Sequence, residues 1–220
     1  MKKAKLRSTL NQNTEKATEK TKILAIGDIH GDTGLVKKMA KKAKKENVDL
    51  IIVAGDLTWL DQSTKNLIGP LIRDDMPILL IPGNHETIPT INFIKEMYPT
   101  VKNLHGKHFQ RKNIGFFGAG YATNAGPFWI KENKIFGLLK KAHSKIKNLD
   151  KKIMITHMHP KDSKNEFSGF SGSTAVKRAI KEFQPDIAIC SHIHEASGLE
   201  ERIGKTRIIN VSRKPKIIKL

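Results

Sequence analysis

Short apolar runs alternate with amphipathic stretches over most of the chain. Strands are predicted at residues 23–27, 49–54, 76–81, 152–156 and 186–190. These runs do not alternate polar and apolar side chains in the way that a strand with one solvent-facing side does. Strands that are apolar on both faces belong to sheets covered by helices, so the pattern indicates an α/β fold.

The amphipathic stretches between the strands have helical spacing. Helices are predicted at residues 35–45, 63–73, 90–98, 129–149 and 174–183. Pro70 lies near the end of the second helix, and Gly137 lies inside the fourth. The alternation of strand and helix is typical of a parallel sheet with helical crossovers.

Shorter, glycine-punctuated pieces follow the first three strands. Residues 109–110 and 114–118 resemble antiparallel strands joined by a turn, and residues 202–204 and 205–211 resemble a hairpin. Residues 216–220 have the pattern of a terminal strand. We expect the later strands to form a second sheet packed on the first, within one domain covering residues 22–220.

The N-terminal stretch differs from the rest of the chain. Residues 1–21 are polar, rich in Lys, Thr, Glu and Asn, and without apolar periodicity. Such a segment cannot bury enough surface to offset the entropy of ordering, so we expect a flexible basic arm. Its lysines suit either a solvated tail or contact with a polyanion.

Composition narrows the class of protein. At 220 residues, a second full domain would be cramped. The single cysteine, Cys190, lies in an apolar run, which predicts a buried thiol and fits a reducing cytoplasm. No apolar run approaches the roughly 18 residues of a membrane span, and the N-terminus lacks an apolar signal segment. We therefore expect a cytoplasmic protein without a membrane partner.

The chain is strongly basic. Lys and Arg number 40 against 21 Asp and Glu, a formal charge of +19. Such a surface attracts nucleic acid and phosphorylated substrates alike. Proteins from Lys-rich proteomes also carry lysines along most of their helices. Charge alone therefore leaves nucleic acid as a secondary possibility for the binding partner.

Metal-binding side chains follow each predicted strand of the alternating series. They are Asp28 and His30, Asp56, Asn84 and His85, His157, and His192 and His194. Ligand groups of open α/β sheets gather at the carboxyl ends of the strands, so these side chains are expected to share one crevice. Taken singly, each has an ordinary explanation as a helix cap, a turn residue or a hydrogen-bonded loop histidine. Recurrence after every strand favours a metal site.

The motifs D-x-H-G at 28–31, G-D at 55–56, G-N-H-E at 83–86, the strand-end His157 and H-x-H at 192–194 occur in this order. This set resembles the calcineurin-like metallophosphoesterase superfamily, from Lys22 over nearly the whole chain. The resemblance implies a four-layer α/β/β/α sandwich with a two-metal centre between the loops. One departure is Ser191, where the family usually has glycine before H-x-H.

The resemblance also implies roles for individual residues. Asp28, His30 and His194 would hold the first metal, Asn84, His157 and His192 the second, and Asp56 would bridge both. A bridging carboxylate can hold two cations that clamp a phosphoryl group and acidify a shared water into a hydroxide nucleophile. His85 would face the substrate as a general acid or hydrogen-bond donor. Mixed N and O donors leave Mn, Fe, Zn, Co and Ni open.

Several nearby residues have weaker expectations. Glu86 and Glu195 are expected to orient metal-bound imidazoles or to be solvated turn carboxylates. His159 is expected to lie behind the ligands or at the surface. The Gly- and Ser-rich segment 162–173 either shapes access to the site or ends in a cap, Ser173, for the following helix.

We therefore expect a metal-dependent phosphoesterase that hydrolyses phosphate mono- or diesters by hydroxide attack. A nuclease or nucleotide phosphodiesterase of the same fold is an alternative, although few aromatics are available for base stacking. A catalytically inactive scaffold that binds RNA or protein is the alternative from another class. Eroded ligands would favour the scaffold, whereas every motif position here carries a competent donor.

Overall fold

The computed structural model describes residues 20–123 and 125–220. Within them lie four α-helices and eleven strands. The helices are α1 (Thr33–Glu46), α2 (Ile88–Met97), α3 (Glu132–His143) and α4 (Thr174–Phe183). The strands are β1 (Lys22–Ile26), β2 (Leu50–Ala54), β3 (Ile78–Ile81), β4 (Val101–Asn103), β5 (His108–Arg111), β6 (Ile114–Ala119), β7 (Lys151–Thr156), β8 (Ile187–Cys190), β9 (Glu200–Ile203), β10 (Thr206–Asn210) and β11 (Lys216–Lys219).

The strands form two sheets. The first has the order β11-β1-β2-β3-β4, in which β1 to β4 are parallel and the terminal strand β11 runs antiparallel to β1. The second has the order β5-β6-β7-β8-β10-β9, with a parallel centre and an antiparallel hairpin at each edge. The second sheet predicted from the later strands is therefore present, except that β11 joins the first sheet.

Three apolar layers hold these elements together. Side chains such as Ile52 of β2 and Ile155 of β7 share the layer between the two sheets. Met39 of α1 packs in the layer outside the first sheet. Leu139 of α3 and Ile180 of α4 belong to the layer outside the second sheet. The architecture is the predicted four-layer α/β/β/α sandwich.

Two helices begin where the sequence places a capping side chain. The Asp32 carboxylate accepts a hydrogen bond from the Leu35 amide at 2.8 Å, so α1 begins directly after the first predicted ligand loop. The Ser173 hydroxyl accepts one from the Val176 amide at 3.2 Å, which confirms Ser173 as the cap of α4.

The helix predicted at 63–73 is wrong. That stretch is a series of turns with one short 3-10 helix, Gly69–Leu71. Leu67, Ile68 and Leu71 are buried, and it is their packing on the first sheet that produces the helical spacing. Asn66 has a left-handed backbone, with φ of 60°, and Pro70 cannot donate the amide hydrogen bond of a helix interior.

The helix predicted at 129–149 is too long at both ends. Trp129 pairs with Ala122 in an isolated β-bridge, and α3 covers only Glu132–His143. The apolar period continues past the helix because Ile146, which lies in a turn, is fully packed in the outer apolar layer. The short strand β4 was not predicted, since its middle residue Lys102 is exposed and it spans only three residues.

Thr21 is buried at the start of the first sheet, and its carbonyl accepts a hydrogen bond from the Leu220 amide at 3.0 Å. The rest of the predicted basic arm, apart from Lys20, lies outside the described residues. Across residues 20–123 and 125–220, no helix combines the length and apolarity needed to cross a membrane. The cytoplasmic location stays a prediction.

Candidate metal centre

The loops that follow β1 and β2 are tied together by their backbones. The Asp28 amide donates to the Gly55 carbonyl at 3.1 Å, and the His30 amide donates to the Asp56 carbonyl at 2.9 Å. The loop after β8 joins them, since the His192 amide donates to the Asp28 carboxylate at 2.9 Å. Strand ends far apart in sequence therefore present their side chains to one crevice.

A first group of donors consists of Asp28, His30 and His194. The Nε2 atoms of the two imidazoles are 3.2 Å apart. The Oδ1 atom of Asp28 lies 3.9 Å from Nε2 of His30 and 3.7 Å from Nε2 of His194. Asp28 is fully buried, and this oxygen has no hydrogen-bond partner among the described residues.

A second group surrounds His157, which is fully buried at the end of β7. Its Nε2 atom lies 2.8 Å from Oδ1 of Asn84, 3.2 Å from Nδ1 of His192 and 3.4 Å from Oδ2 of Asp56. The same Asp56 oxygen lies 3.7 Å from Nε2 of His30, which belongs to the first group. Asp56 thus stands between the two groups.

The spacing of these atoms suits metal binding. Donors bonded to one cation at about 2.1 Å are separated by roughly 3 to 4 Å, depending on the bond angle. The separations within both groups are between 2.8 and 3.9 Å. A buried carboxylate oxygen without a hydrogen-bond partner is costly unless something satisfies it, and a cation at the first group would do so. The residues present therefore fit divalent metal ions.

The backbone at these loops is unusual. Asp28, His30, Asp56 and His192 all have left-handed backbones, with φ of 54°, 50°, 51° and 75°. Asp and His enter this region more readily than most residues with a side chain, at a cost of about 1–3 kcal/mol each. The surrounding loops hold four of the predicted ligands in a conformation that the isolated chain would avoid.

Two glycines allow the loops to approach closely. A Cβ atom on Gly83 would lie 1.9 Å from Oδ1 of Asp56, and one on Gly55 would lie 2.6 Å from Nδ1 of His157. Gly55 also has a left-handed backbone, with φ of 90°. Glycine at both positions therefore lets the carboxylate and the imidazole reach the centre of the crevice.

The burial of the charged side chains shifts their pKa values. Burial lowers the pKa of His157, but the charge and hydrogen bond of Asp56, the charge of Asp28 and the Ala54 carbonyl together raise it to about 9. Burial, followed by the neighbouring charge of His157, lowers the pKa of His192 to about 3. For Asp56, burial raises the pKa, yet the charge and hydrogen bond of His157 leave it below its ordinary value.

His85 lies at the edge of the crevice. Its Nε2 atom is 3.9 Å from Oδ2 of Asp56, and its backbone amide donates to Oδ1 of the same carboxylate at 3.0 Å. The imidazole stacks on the indole of Trp59, with 4.4 Å between ring centroids. His85 is thus brought to the predicted ligands, although it also lies within the distance at which it could bind a cation with His30 and Asp56.

Glu86 has neither of the two roles expected for it. It is fully buried and neither orients an imidazole nor meets solvent. Its carboxylate accepts hydrogen bonds from the amides of Asp56 at 3.0 Å, Gly83 at 2.8 Å and Thr58 at 2.6 Å. Burial and the charge of Asp56 raise the pKa of Glu86 to about 7. The side chain clamps the loops after β2 and β3 together.

Sequence reasoning missed two residues after β10. The Ser212 hydroxyl donates to the Asp28 carboxylate. Arg213 donates to the Asp28 carbonyl at 3.2 Å and to the Asp32 carboxylate at 3.1 Å. They follow the end of β10, and a position after a strand is the signal that they share with the other site residues.

Four other residues lie within two positions of a proposed ligand in the sequence: Ser191, His159, Glu195 and Cys190. Ser191 donates to the Ala54 carbonyl at 2.6 Å and lies 3.1 Å from Nδ1 of His157, so it packs directly behind this imidazole. His159 is fully buried, which makes the surface alternative wrong. Glu195 is exposed, as a solvated turn carboxylate would be. Cys190 is buried, as predicted.

Comparison with known proteins places the fold and the family. A family model described as calcineurin-like phosphoesterase matches residues 21–196. No curated protein matches the chain significantly.

Similar solved structures share the fold at low sequence identity. The protein TT1561 of Thermus thermophilus has a TM-score of 0.72 at 18% identity, over 91% of this chain and 99% of that one. A dimetal phosphatase from Danio rerio has a TM-score of 0.56 at 12% identity, over 86% of each chain. An archaeal phosphodiesterase has a TM-score of 0.54 at 15% identity, over 91% of this chain and all (100%) of that one. Because the family model covers most of the chain, the protein belongs to the calcineurin-like phosphoesterase family.

Proposed function

We propose that the protein is a dinuclear metal-dependent phosphoesterase that hydrolyses phosphate esters. The observation that carries this proposal is the position of Asp56, whose Oδ2 atom lies 3.4 Å from His157 and 3.7 Å from His30. One carboxylate between two groups of donors is the arrangement that a bridged pair of cations requires. Members of the family use divalent metals, and candidate ligand clusters are present here.

The proposed ligand sets divide the crevice at Asp56. Asp28, His30 and His194 would hold one cation, and Asn84, His157 and His192 the other. When bound, two divalent cations would neutralise phosphoryl charge and acidify a water molecule for in-line attack. Because Asn84 contributes a neutral oxygen, the loaded site would keep a positive charge that favours an anionic ester.

The chain's own groups would prepare these ligands. The Ala54 carbonyl lies 3.0 Å from Nδ1 of His157, so a proton on Nδ1 would leave the Nε2 lone pair free for a cation. The hydrogen bonds of Ser212 and of the His192 amide hold Oδ2 of Asp28, which leaves Oδ1 directed at the imidazoles. These hydrogen bonds would orient both ligands toward a cation.

His85 is proposed as the proton donor to the leaving oxygen. Its ring is partly exposed, with 13% of the side chain accessible, so a substrate can reach it. The hydrogen bond from its amide to Asp56 fixes its backbone against the bridging residue. A positioned histidine typically contributes about 10²- to 10⁴-fold in rate through proton transfer.

The ester class is open between mono- and diesters. Both a phosphatase and a phosphodiesterase are found among proteins of similar fold, so the fold alone does not choose. A nuclease or nucleotide phosphodiesterase is the second candidate, favoured by the formal charge of +19. We propose Mn, Fe, Zn, Co or Ni as the metal, because the site offers both nitrogen and oxygen donors.

The test is a metal screen with 4-nitrophenyl phosphate and bis(4-nitrophenyl) phosphate. We expect turnover that depends on added divalent cation, and the ratio of the two rates assigns the ester class. Failure to turn over either compound with any of the five metals would contradict the proposal. Salt-dependent RNA binding in a protein without turnover would instead support the scaffold alternative.

A further inference from the structure

A large aromatic side chain stands exposed beside the candidate metal centre. Trp59 is 47% exposed, although tryptophan is ordinarily well buried. Its indole stacks on His85 at an interplanar angle of 28° and meets the edge of His30, with 5.2 Å between ring centroids. One face of the indole is thus covered by the proposed proton donor and the ring also meets His30, while about half of the residue stays exposed to solvent.

The loop that carries Trp59 is well anchored. Thr58, the preceding residue, is buried, and its amide donates to Glu86 at 2.6 Å. The carbonyl of Trp59 accepts a hydrogen bond from the Gln62 amide at 3.1 Å, and the Asp61 amide donates to the His85 carbonyl at 3.0 Å. Trp59 is therefore held at a defined place against His85 by a loop that belongs to the site.

Packing on His85 alone does not account for so large a side chain. Stacking on one imidazole uses a single face of the indole, and a smaller apolar residue would cover the same ring. An exposed indole on an anchored loop beside a polar centre is typical of a surface on which another ring stacks. Aromatic bases stack on such a side chain with little regard to their identity.

We propose that Trp59 is the binding surface for a planar aromatic ring in the organic part of the substrate, so that the enzyme takes nucleotide-like or aryl phosphate esters. This rests on the proposed function and narrows it. With the phosphoryl group at the metal ligands, the leaving group departs beside His85, which is the side on which Trp59 stands. A ring carried by the leaving group would meet the open part of the indole.

The kinetic test compares two esters that share a phosphate and a sugar but differ in the ring. Adenosine 5′-monophosphate carries the base, and ribose 5-phosphate does not. The measured quantity is kcat/KM for adenosine 5′-monophosphate divided by kcat/KM for ribose 5-phosphate. In Trp59→Ala this ratio is expected to fall about tenfold, the usual effect of losing one stacked base. Trp59→Phe should restore most of the ratio. If the screen finds a diesterase, the methyl esters of the same two phosphates are used.

The control is Trp129, the second tryptophan of the chain, which is 54% exposed. Within the described residues it stacks on none of the histidines of the site. Trp129→Ala is expected to leave the ratio unchanged. If Trp59 only positioned His85, Trp59→Ala would slow both esters equally; an unchanged ratio would therefore overturn the proposal.

A binding measurement makes the test independent of turnover. Trp129→Phe leaves Trp59 as the only tryptophan, and adenosine 5′-monophosphate is expected to quench its fluorescence, whereas ribose 5-phosphate is not. Equal responses to the two compounds would contradict the proposal. Selective quenching in a protein that hydrolyses nothing with any metal would support the aromatic surface and contradict the proposed function, so the two failures are distinguishable.

Discussion

The carboxylate of Glu86 accepts a hydrogen bond from the backbone amide of Asp56, with 3.0 Å between Oε2 and the nitrogen. Asp56 is the residue between the two donor groups, and Glu86 is fully buried beneath it. The proposed bridge is thus held through its backbone by a second carboxylate that does not face the crevice. This relationship separates the residues expected to bind metal from those that only hold the loops.

Glu86→Ala is expected to reduce stability. The substitution leaves the backbone amides of Asp56, Gly83 and Thr58 without their acceptor. Unsatisfied buried donors cost about 1–3 kcal/mol each, and the free energy of unfolding in urea should fall by at least the cost of one such donor. Glu195→Ala, at an exposed position, is the matched control and should change stability little. Equal stability of both variants would contradict the clamp.

Asp56→Asn and His85→Ala should separate ligand from proton donor. Asp56→Asn is expected to lose bound metal, because a neutral amide bridges two cations poorly. His85→Ala should retain both cations and lose about 10²- to 10⁴-fold in kcat. Metal content by elemental analysis decides between the roles, with His108→Ala as the exposed control. Loss of metal from the His85 variant would assign that side chain to the ligands.

Ser212→Ala tests the support behind Asp28. The hydroxyl of Ser212 donates to the Asp28 carboxylate, so its removal should let the carboxylate rotate away from His30 and His194. Residues that hold a ligand in this way typically contribute about 10- to 100-fold in metal affinity. Titration with a competing chelator measures the change. Ser144→Ala, on the exposed end of α3, should bind metal as the unsubstituted protein does.

The stability of the metal-free protein should fall as pH rises through 9. The folded-state pKa of His157 is raised to about 9, whereas the ordinary value, which applies to the unfolded chain, is 6.5. Its contribution is therefore complete below pH 6.5 and lost as pH rises through the folded value. The difference corresponds to at most roughly 3 kcal/mol.

Urea unfolding of the metal-free protein at pH 6 and pH 9 measures this loss. His157→Gln cannot take up the proton and should flatten the dependence. His108→Gln should not. The same protonation competes with cations, so metal affinity should rise over this pH range. A metal-free protein equally stable at both pH values would exclude a protonated His157.

Gly27 and Ser191 form a pair that can be tested by a double-mutant cycle. A Cβ atom on Gly27 would lie 2.4 Å from Cβ of Ser191, so Gly27→Ala should cost about 1–3 kcal/mol of unfolding free energy. Ser191→Gly removes the atom that would clash. The double variant is expected to recover part of the loss, which a cycle of urea unfolding experiments measures as a coupling energy. Strict additivity would mean that the clash is relieved elsewhere.

Much of the site could be predicted from the sequence because each strand end is a local feature. An apolar run followed at once by Asp28, Asp56 or His157 marks both the end of a buried strand and a polar group at its edge. The parallel order of β1, β2 and β3 then brings such ends to the same side of the sheet. His157 follows β7 of the second sheet, so its position beside Asp56 also depends on how the two sheets pack.

Apolar spacing alone could not separate a helix from a core-facing turn. Leu67 and Ile68 fit the apolar period of the helix predicted at 63–73, and Ile146 fits that of the helix predicted at 129–149. All three lie outside helices and pack against a sheet. An irregular segment that covers a sheet can bury side chains at the same intervals, whereas Asn66 and Pro70 decide the backbone here. The length of α3 was overestimated for the same reason.

The sequence by itself determined the fold class, the succession of the main strands along the chain and the identity of the candidate ligands. Only the tertiary structure decided that Glu86 clamps two loops, that Ser212 holds Asp28 and that Trp59 stacks on His85. The physical reason is range. Neighbouring residues determine where a strand ends. These contacts, by contrast, join atoms up to 184 residues apart and form only once both sheets have packed.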